Sequence, residues 1–121
     1  MARILYLDDD ASLTALISRW LQTLGHSVSA FASAPEALAA FETSRGGFDL
    51  VLTDMSMPGS SGIEFAQQIL AIDLQMKVII ATGCKDPNWA DFARASGVRQ
   101  VIEKPTTVEE LAKALSLLEA Q

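Results

Sequence analysis

Five polar residues stand at the ends of candidate strands in this chain. Asp8 and Asp9 follow Ile4-Leu5-Tyr6-Leu7, Asp54 closes the stretch that starts at Leu50-Val51-Leu52, Thr82 ends Lys77 to Thr82, and Lys104 follows Arg99 to Glu103. Carboxylates brought within about 4 Å repel by up to ~4 kcal/mol at an effective dielectric near 20. Protonation of one of them, or a hard divalent cation, would relieve that repulsion. Mg2+ keeps several waters and accepts one or two carboxylates, so Asp9 and Asp54 suit it, with Asp8 acting through water. Zn2+ would want His or Cys, and His26 and Cys84 form no spaced set. Lys104 can pair with a carboxylate at rest and with a phosphoryl oxygen when one is present, and the Thr82 hydroxyl can donate to another. An aspartate nucleophile, a metal, a lysine and a hydroxyl are the parts that hold a phosphoryl group through in-line transfer. Singly, each residue has an ordinary reading as a solvated charge or a hydroxyl bonded to backbone. The chemistry rests on five of them falling at strand ends.

The elements that must position these residues alternate strand and helix. Ile4 to Leu7, Leu50 to Leu52 and Lys77 to Thr82 are apolar without alternation, as in strands buried on both faces. His26 to Phe31 places Val28 and Ala30 between Ser27 and Ser29, the pattern of a half-exposed edge strand. Arg99 to Glu103 is a short fifth strand. Between them, Leu13, Leu16, Ile17, Trp20, Leu21 and Leu24 form one helical stripe, with Asp10 or Ser12 as cap and Gly25 as stop. Ser33-Ala34-Pro35-Glu36 reads as a capping box opening a second helix through Ala37, Leu38 and Phe41. Pro58-Gly59-Ser60-Ser61-Gly62 reads as a loop before a third helix, marked by Ile63, Ala66, Ile69 and Leu70. Gly83 to Asn88 is a loop before a weakly patterned helix through Trp89, Phe92 and Ala93, which Gly97 stops. Thr107-Val108-Glu109-Glu110 caps a last helix carrying Leu111, Leu115 and Leu118.

Five βα units imply an α/β fold with a five-stranded parallel sheet and helices on both faces, because parallel strands need right-handed crossovers. The edge character of the second strand favours the 2-1-3-4-5 order of the flavodoxin-like (βα)5 fold, with its crevice between the first and third strands. Asp8, Asp9 and Asp54 fall at the mouth of that crevice. The 121 residues suffice for one domain, 1–121, with one real core. Half of the residues are hydrophobic and 20% are charged, which is the balance of a globular protein. A net charge of -6 argues against nucleic acid as a direct partner, since phosphate binding needs a basic surface. No apolar run reaches membrane-spanning length, no signal-peptide core follows Met1, and the single Cys84 allows no internal disulfide, so a cytoplasmic location is expected.

Asp8-Asp9, Asp54 with Met57-Pro58-Gly59 and Gly62, Thr82, and Lys104-Pro105 together resemble the receiver domain of bacterial two-component response regulators, over the whole chain. The resemblance implies that Asp54 accepts a phosphoryl group from the phosphohistidine of a histidine kinase or a histidine phosphotransfer protein. It also implies Mg2+ bound by Asp9, Asp54 and the backbone carbonyl of Ser56, with Asp8 through water, while Thr82 and Lys104 bind the phosphoryl oxygens. Such a domain is a phosphorelay switch for a downstream protein partner rather than an enzyme, apart from its own phosphorylation and slow autodephosphorylation. The chain departs from the family pattern at Val101, where an aromatic is frequent, at Ser60-Ser61, where Met-Asp is common, and at Thr106, where Phe is usual. With no ring at Val101, the loop from Gly83 to Asn88 and the start of the next helix at Trp89 are expected to carry the signal.

Competing chemistries lack their parts. An aspartyl phosphohydrolase would want a second Asp two residues after the nucleophile, where this chain has Ser56, and a cap insertion. A flavodoxin-type cofactor binder would need a hydroxyl- and glycine-rich loop where Asp8-Asp9-Asp10 would repel the phosphate. A phosphorylation-dead interaction domain would have lost an acid or Lys104. His26 is expected to be solvated, Trp20 to pack, Met55, Met57 and Met76 to fill the core, and Cys84 to lack the cationic setting of a reactive thiol.

Overall fold

The apolar runs set the frame. In the computed structural model, which describes residues 2–44, 46–57, 60–83, 87–104 and 107–119, they form the middle of one parallel sheet. Its strands are β1 (Arg3–Leu7), β2 (Ser27–Phe31), β3 (Leu50–Asp54), β4 (Lys77–Thr82) and β5 (Gln100–Glu103). Their order is β2-β1-β3-β4-β5, all parallel, as the sequence pattern predicts. The helices are α1 (Ala11–Thr23), α2 (Ala34–Thr43), α3 (Gly62–Ile72), α4 (Pro87–Ala95) and α5 (Val108–Glu119). None of the described helices is long and apolar enough to cross a membrane.

Successive side chains of a strand point to opposite faces, so each buried run feeds two cores. Ile4, Tyr6, Leu50, Leu52 and Ile79 pack with Ile17 and Leu21 of α1 and with Leu111, Leu115 and Leu118 of α5. Leu5, Leu7, Val51, Val78 and Ile80 pack on the other side with Phe41, Phe65, Ile69 and Ala93 of α2, α3 and α4. The register follows from this packing and from the Arg3–Asp49 pair at the amino edge. There the Arg3 backbone N–H donates to Asp49 Oδ2 at 2.8 Å, and Arg3 Nη2 to Asp49 Oδ1 at 3.0 Å. Hydrogen bonding to Arg3 holds the Asp49 carboxyl below its ordinary pKa. Leu7 then lies opposite Thr53, which sets Asp8 beside Asp54 at the carboxyl edge.

Several local expectations are corrected. The α1 stripe is narrower than its period implies: Ile17 and Leu21 are buried, but Leu16 and Leu24 remain 44% and 37% exposed at its margins. In β2, Val28 is half-buried while Ala30 is exposed, because Ala30 borders an open cleft of about 290 Å3 beside α1. Ser33 is the N-cap of α2 but makes no side-chain capping bond; Pro35 at the second helical position removes one of the two N–H groups such a cap can use. Asp10 caps α1 through Leu13 N–H and Thr107 caps α5 through Glu110 N–H, as their spacing predicts. Pro87 and Asn88 open α4 rather than ending a loop. His26 is half-buried, not solvated: its Nδ1 accepts the Ala2 N–H at 2.9 Å and ties the chain start to β2.

The described residues after Asp54 form a short ladder where a loop is expected, with Pro58 and Gly59 lying outside the described residues. Ser56–Met57 pairs antiparallel with Ser60–Ser61, and Ser61 then caps α3 through Glu64 N–H. Gly62 makes that return possible, donating its N–H to the Met55 carbonyl at 2.6 Å. A Cβ there would sit 2.5 Å from the Asp54 carbonyl oxygen and 3.0 Å from Met55 Cα, both backbone atoms that cannot swing away. Gly62→Ala is therefore expected to lose about 1–3 kcal/mol of stability by overpacking. A urea midpoint equal to that of the unaltered protein would show that the turn has room to spare.

Candidate functional site at the carboxyl edge of the sheet

The carboxyl ends of β1 and β3 bring Asp8, Asp9 and Asp54 together, with one oxygen from each lying within 4.8 Å of the others. Asp8 and Asp54 are buried and Asp9 is exposed, so the cluster has a dry floor and a wet rim. Lys104, just past β5, reaches across to both buried acids. Its Nζ lies 2.8 Å from Asp54 Oδ1 and 3.1 Å from Asp8 Oδ2. Burial alone would lower the ammonium pKa, but the hydrogen bonds and charges of Asp54 and Asp8 outweigh it and the net shift is upward. The lysine is thus held charged between two carboxylates. Among the described residues no ion pair reaches Asp9.

Asp8 is held on every side. Its Oδ1 accepts the Asp10 N–H at 3.0 Å, and its Oδ2 accepts both Lys104 and the hydroxyl of Tyr6, the latter at 3.0 Å. Burial, followed by the charge of Asp8, pushes the Tyr6 phenol pKa far up, so at neutral pH the hydroxyl keeps its proton and donates. In the sequence, Tyr6 stands out only as part of an apolar strand. The signal lies in the period of two, which, carried one residue past the end of β1, puts residues 6 and 8 on the same side.

Thr82 ends β4 one position beyond Ala81, the register partner of Asp54, and it is buried. Its carbonyl accepts the Lys104 N–H at 2.7 Å, so β4 and β5 carry the threonine and the lysine to one edge together. Ser56 follows Asp54 by two residues, with its backbone in the short ladder against Ser61. Val101 is half-buried opposite Ile80 and packs against the α2–α3 core. Of the loop expected to carry the signal, Gly83 is exposed, while residues 84–86 and the Trp89 side chain lie outside the described residues.

The donor set tests which cation fits. Carboxylates and backbone carbonyls are hard oxygen ligands, and no His or Cys joins the cluster among the described residues, which matches Mg2+ and not Zn2+. The open cleft beside α1, floored by Asp8, Asp9 and Thr14, leaves the rim accessible from the β2 side. The arrangement gathers three carboxylates where a divalent cation could sit, with one lysine bridging two of them.

The family model described as the response regulator receiver domain matches residues 4–116. Among curated proteins, the chain is 34% identical over 111 residues to the C4-dicarboxylate transport transcriptional regulatory protein DctD of Rhizobium meliloti, covering 92% of this chain and 24% of that protein. It is also similar to a solved response regulator receiver domain protein from Clostridium thermocellum. That likeness has a TM-score of 0.90 and 34% identity, and it covers 96% of this chain and 92% of the other. The chemotaxis protein CheY4 of Vibrio cholerae gives a TM-score of 0.89 at 30% identity, covering 96% and 97% of the two chains. The chain spans about a quarter of the length of the curated relative DctD.

Proposed function

Because this chain belongs to the response regulator receiver domain family, we propose that Asp54 is the residue at which it takes up the signalling phosphoryl group of a two-component phosphorelay. The observation that carries this reading is the Lys104 bridge. One ammonium holds Asp54 and Asp8 at 2.8 and 3.1 Å and can transfer to phosphoryl oxygens without leaving the site. An oxygen of Asp54 forms a bond to phosphorus while the P–N bond of a phosphohistidine breaks, and the electron pair leaves on the imidazole nitrogen. Lys104 and the Thr82 hydroxyl take the phosphoryl oxygens, replacing water with fixed donors. Asp9 and Asp54, the Ser56 carbonyl, and Asp8 through water would hold Mg2+. When bound, the ion would offset the charge that builds up among three acids and an incoming phosphoryl group.

In this reading residues 1–121 form one receiver domain acting in the cytoplasm. Its phosphodonor is a histidine kinase or a histidine phosphotransfer protein, and its output is altered binding to a downstream protein. Its catalysis is confined to gaining and slowly losing its own phosphoryl group. The test is incubation with acetyl phosphate and Mg2+, followed by intact mass measurement and peptide mapping. One added phosphoryl group, mapped to Asp54, is expected. Label found on another residue, or none at all, would refute the reading.

A further inference from the structure

Asp8 Oδ2 has two donors of opposite character. Lys104 reaches it on a flexible stem from a side chain 22% exposed, and the same ammonium is shared with Asp54. Tyr6 reaches it from a ring that is 1% exposed and packed with Ile4, Ile17, Leu21 and Leu52, so its hydroxyl is fixed. Packing alone would be served by any large apolar side chain, and a hydroxyl at this depth needs a partner. Its partner is a carboxylate with a side chain only 1% exposed, so bulk solvent reaches it poorly and protein donors matter most to it.

We propose that Tyr6 is a positioning residue for phosphoryl binding: its buried hydroxyl keeps Asp8 Oδ2 hydrogen-bonded when Lys104 leaves that oxygen for the phosphoryl group. The proposal rests on the receiver reading above. At rest the two donors share the oxygen. In the phosphorylated state Lys104 turns to the new anion, and without Tyr6 a buried carboxylate oxygen would keep no protein side-chain donor among the described residues. Removing the last partner of a buried charged group exposes its full desolvation penalty. That penalty would fall on the phosphorylated state far more than on the resting one, so it would appear as lost affinity. Asp10 cannot substitute, because its N–H serves Oδ1.

Tyr6→Phe removes the hydroxyl and keeps the ring, so the core and the fold are retained. Beryllofluoride, a mimic of the phosphoryl group, would be titrated at saturating Mg2+ into both proteins and followed by amide chemical shifts. The variant is expected to bind on the order of 10-fold more weakly. In the metal-free variant, the Lys104 ammonium protons should exchange more slowly with water, since Lys104 becomes the only donor to that oxygen among the described residues. Equal beryllofluoride affinities overturn the assignment, even if the urea midpoint of the variant falls, because that pattern marks Tyr6 as a packing residue alone. Failure of the unaltered protein to bind beryllofluoride with Mg2+ overturns the receiver reading as well, which separates the two failures.

Discussion

Asp54→Asn is expected to take up no phosphoryl group from acetyl phosphate and Mg2+, and to remain folded. An amide oxygen carries no negative charge and cannot form the acyl phosphate, so the loss should be complete rather than partial. Stability pulls in two directions. The substitution breaks the 2.8 Å pair with Lys104, yet it removes one of three carboxylates gathered within 4.8 Å. Lys104 keeps Asp8 as a partner at 3.1 Å, so no buried cation is left unpaired. The two effects should largely cancel, leaving the melting temperature within a few degrees of the unaltered protein. Label surviving in Asp54→Asn at the original level would remove Asp54 from the mechanism. A melting temperature far below that of the unaltered protein would show that the ion pair outweighs the repulsion.

Asp9→Ala is expected to slow phosphoryl uptake by on the order of 100-fold, and chelation of Mg2+ should do the same to the unaltered protein. Asp9 is the exposed member of the cluster, and Lys104 reaches the other two acids but not this one. Its carboxylate therefore adds repulsion at rest that a bound cation would relieve. Removing it should take away metal binding, read as the loss of Mg2+-induced amide shifts. The same change should raise the melting temperature by a few degrees at low salt, an effect that shrinks as salt screens the exposed charge. Faster uptake, or uptake that persists in excess chelator, would contradict a metal role for this acid. A lower melting temperature would mean that Asp9 makes a stabilising contact that outweighs its charge.

Local periodicity and residue chemistry are written in the sequence, and they determined most of the architecture. Runs such as Leu50-Val51-Leu52, without polar alternation, read as central strands, and the mixed run Ser27 to Phe31 reads as an edge. Five strand–helix units then left little freedom in topology. The same reading put Asp8, Asp9, Asp54, Thr82 and Lys104 at strand ends, because a polar residue ending an apolar run is visible without coordinates. Contacts between distant segments were decided by the tertiary structure. Lys104 and Asp8 meet across a separation of 96 residues, and only the packing of β1, β3, β4 and β5 fixes that one ammonium spans two acids. The Tyr6 hydroxyl, the His26 Nδ1 bond to Ala2 and the need for Gly62 under the Asp54 carbonyl are of the same kind. Each depends on where a neighbouring backbone or carboxylate comes to rest, within a few tenths of an ångström, and no period or composition encodes that distance. The expectation at Ser33 failed for a reason the sequence itself carries: its spacing to Glu36 is right, but Pro35 removes one of the N–H groups a cap can use, and the hydroxyl makes no capping bond. Pattern specifies which face a residue occupies, and packing specifies what it meets there.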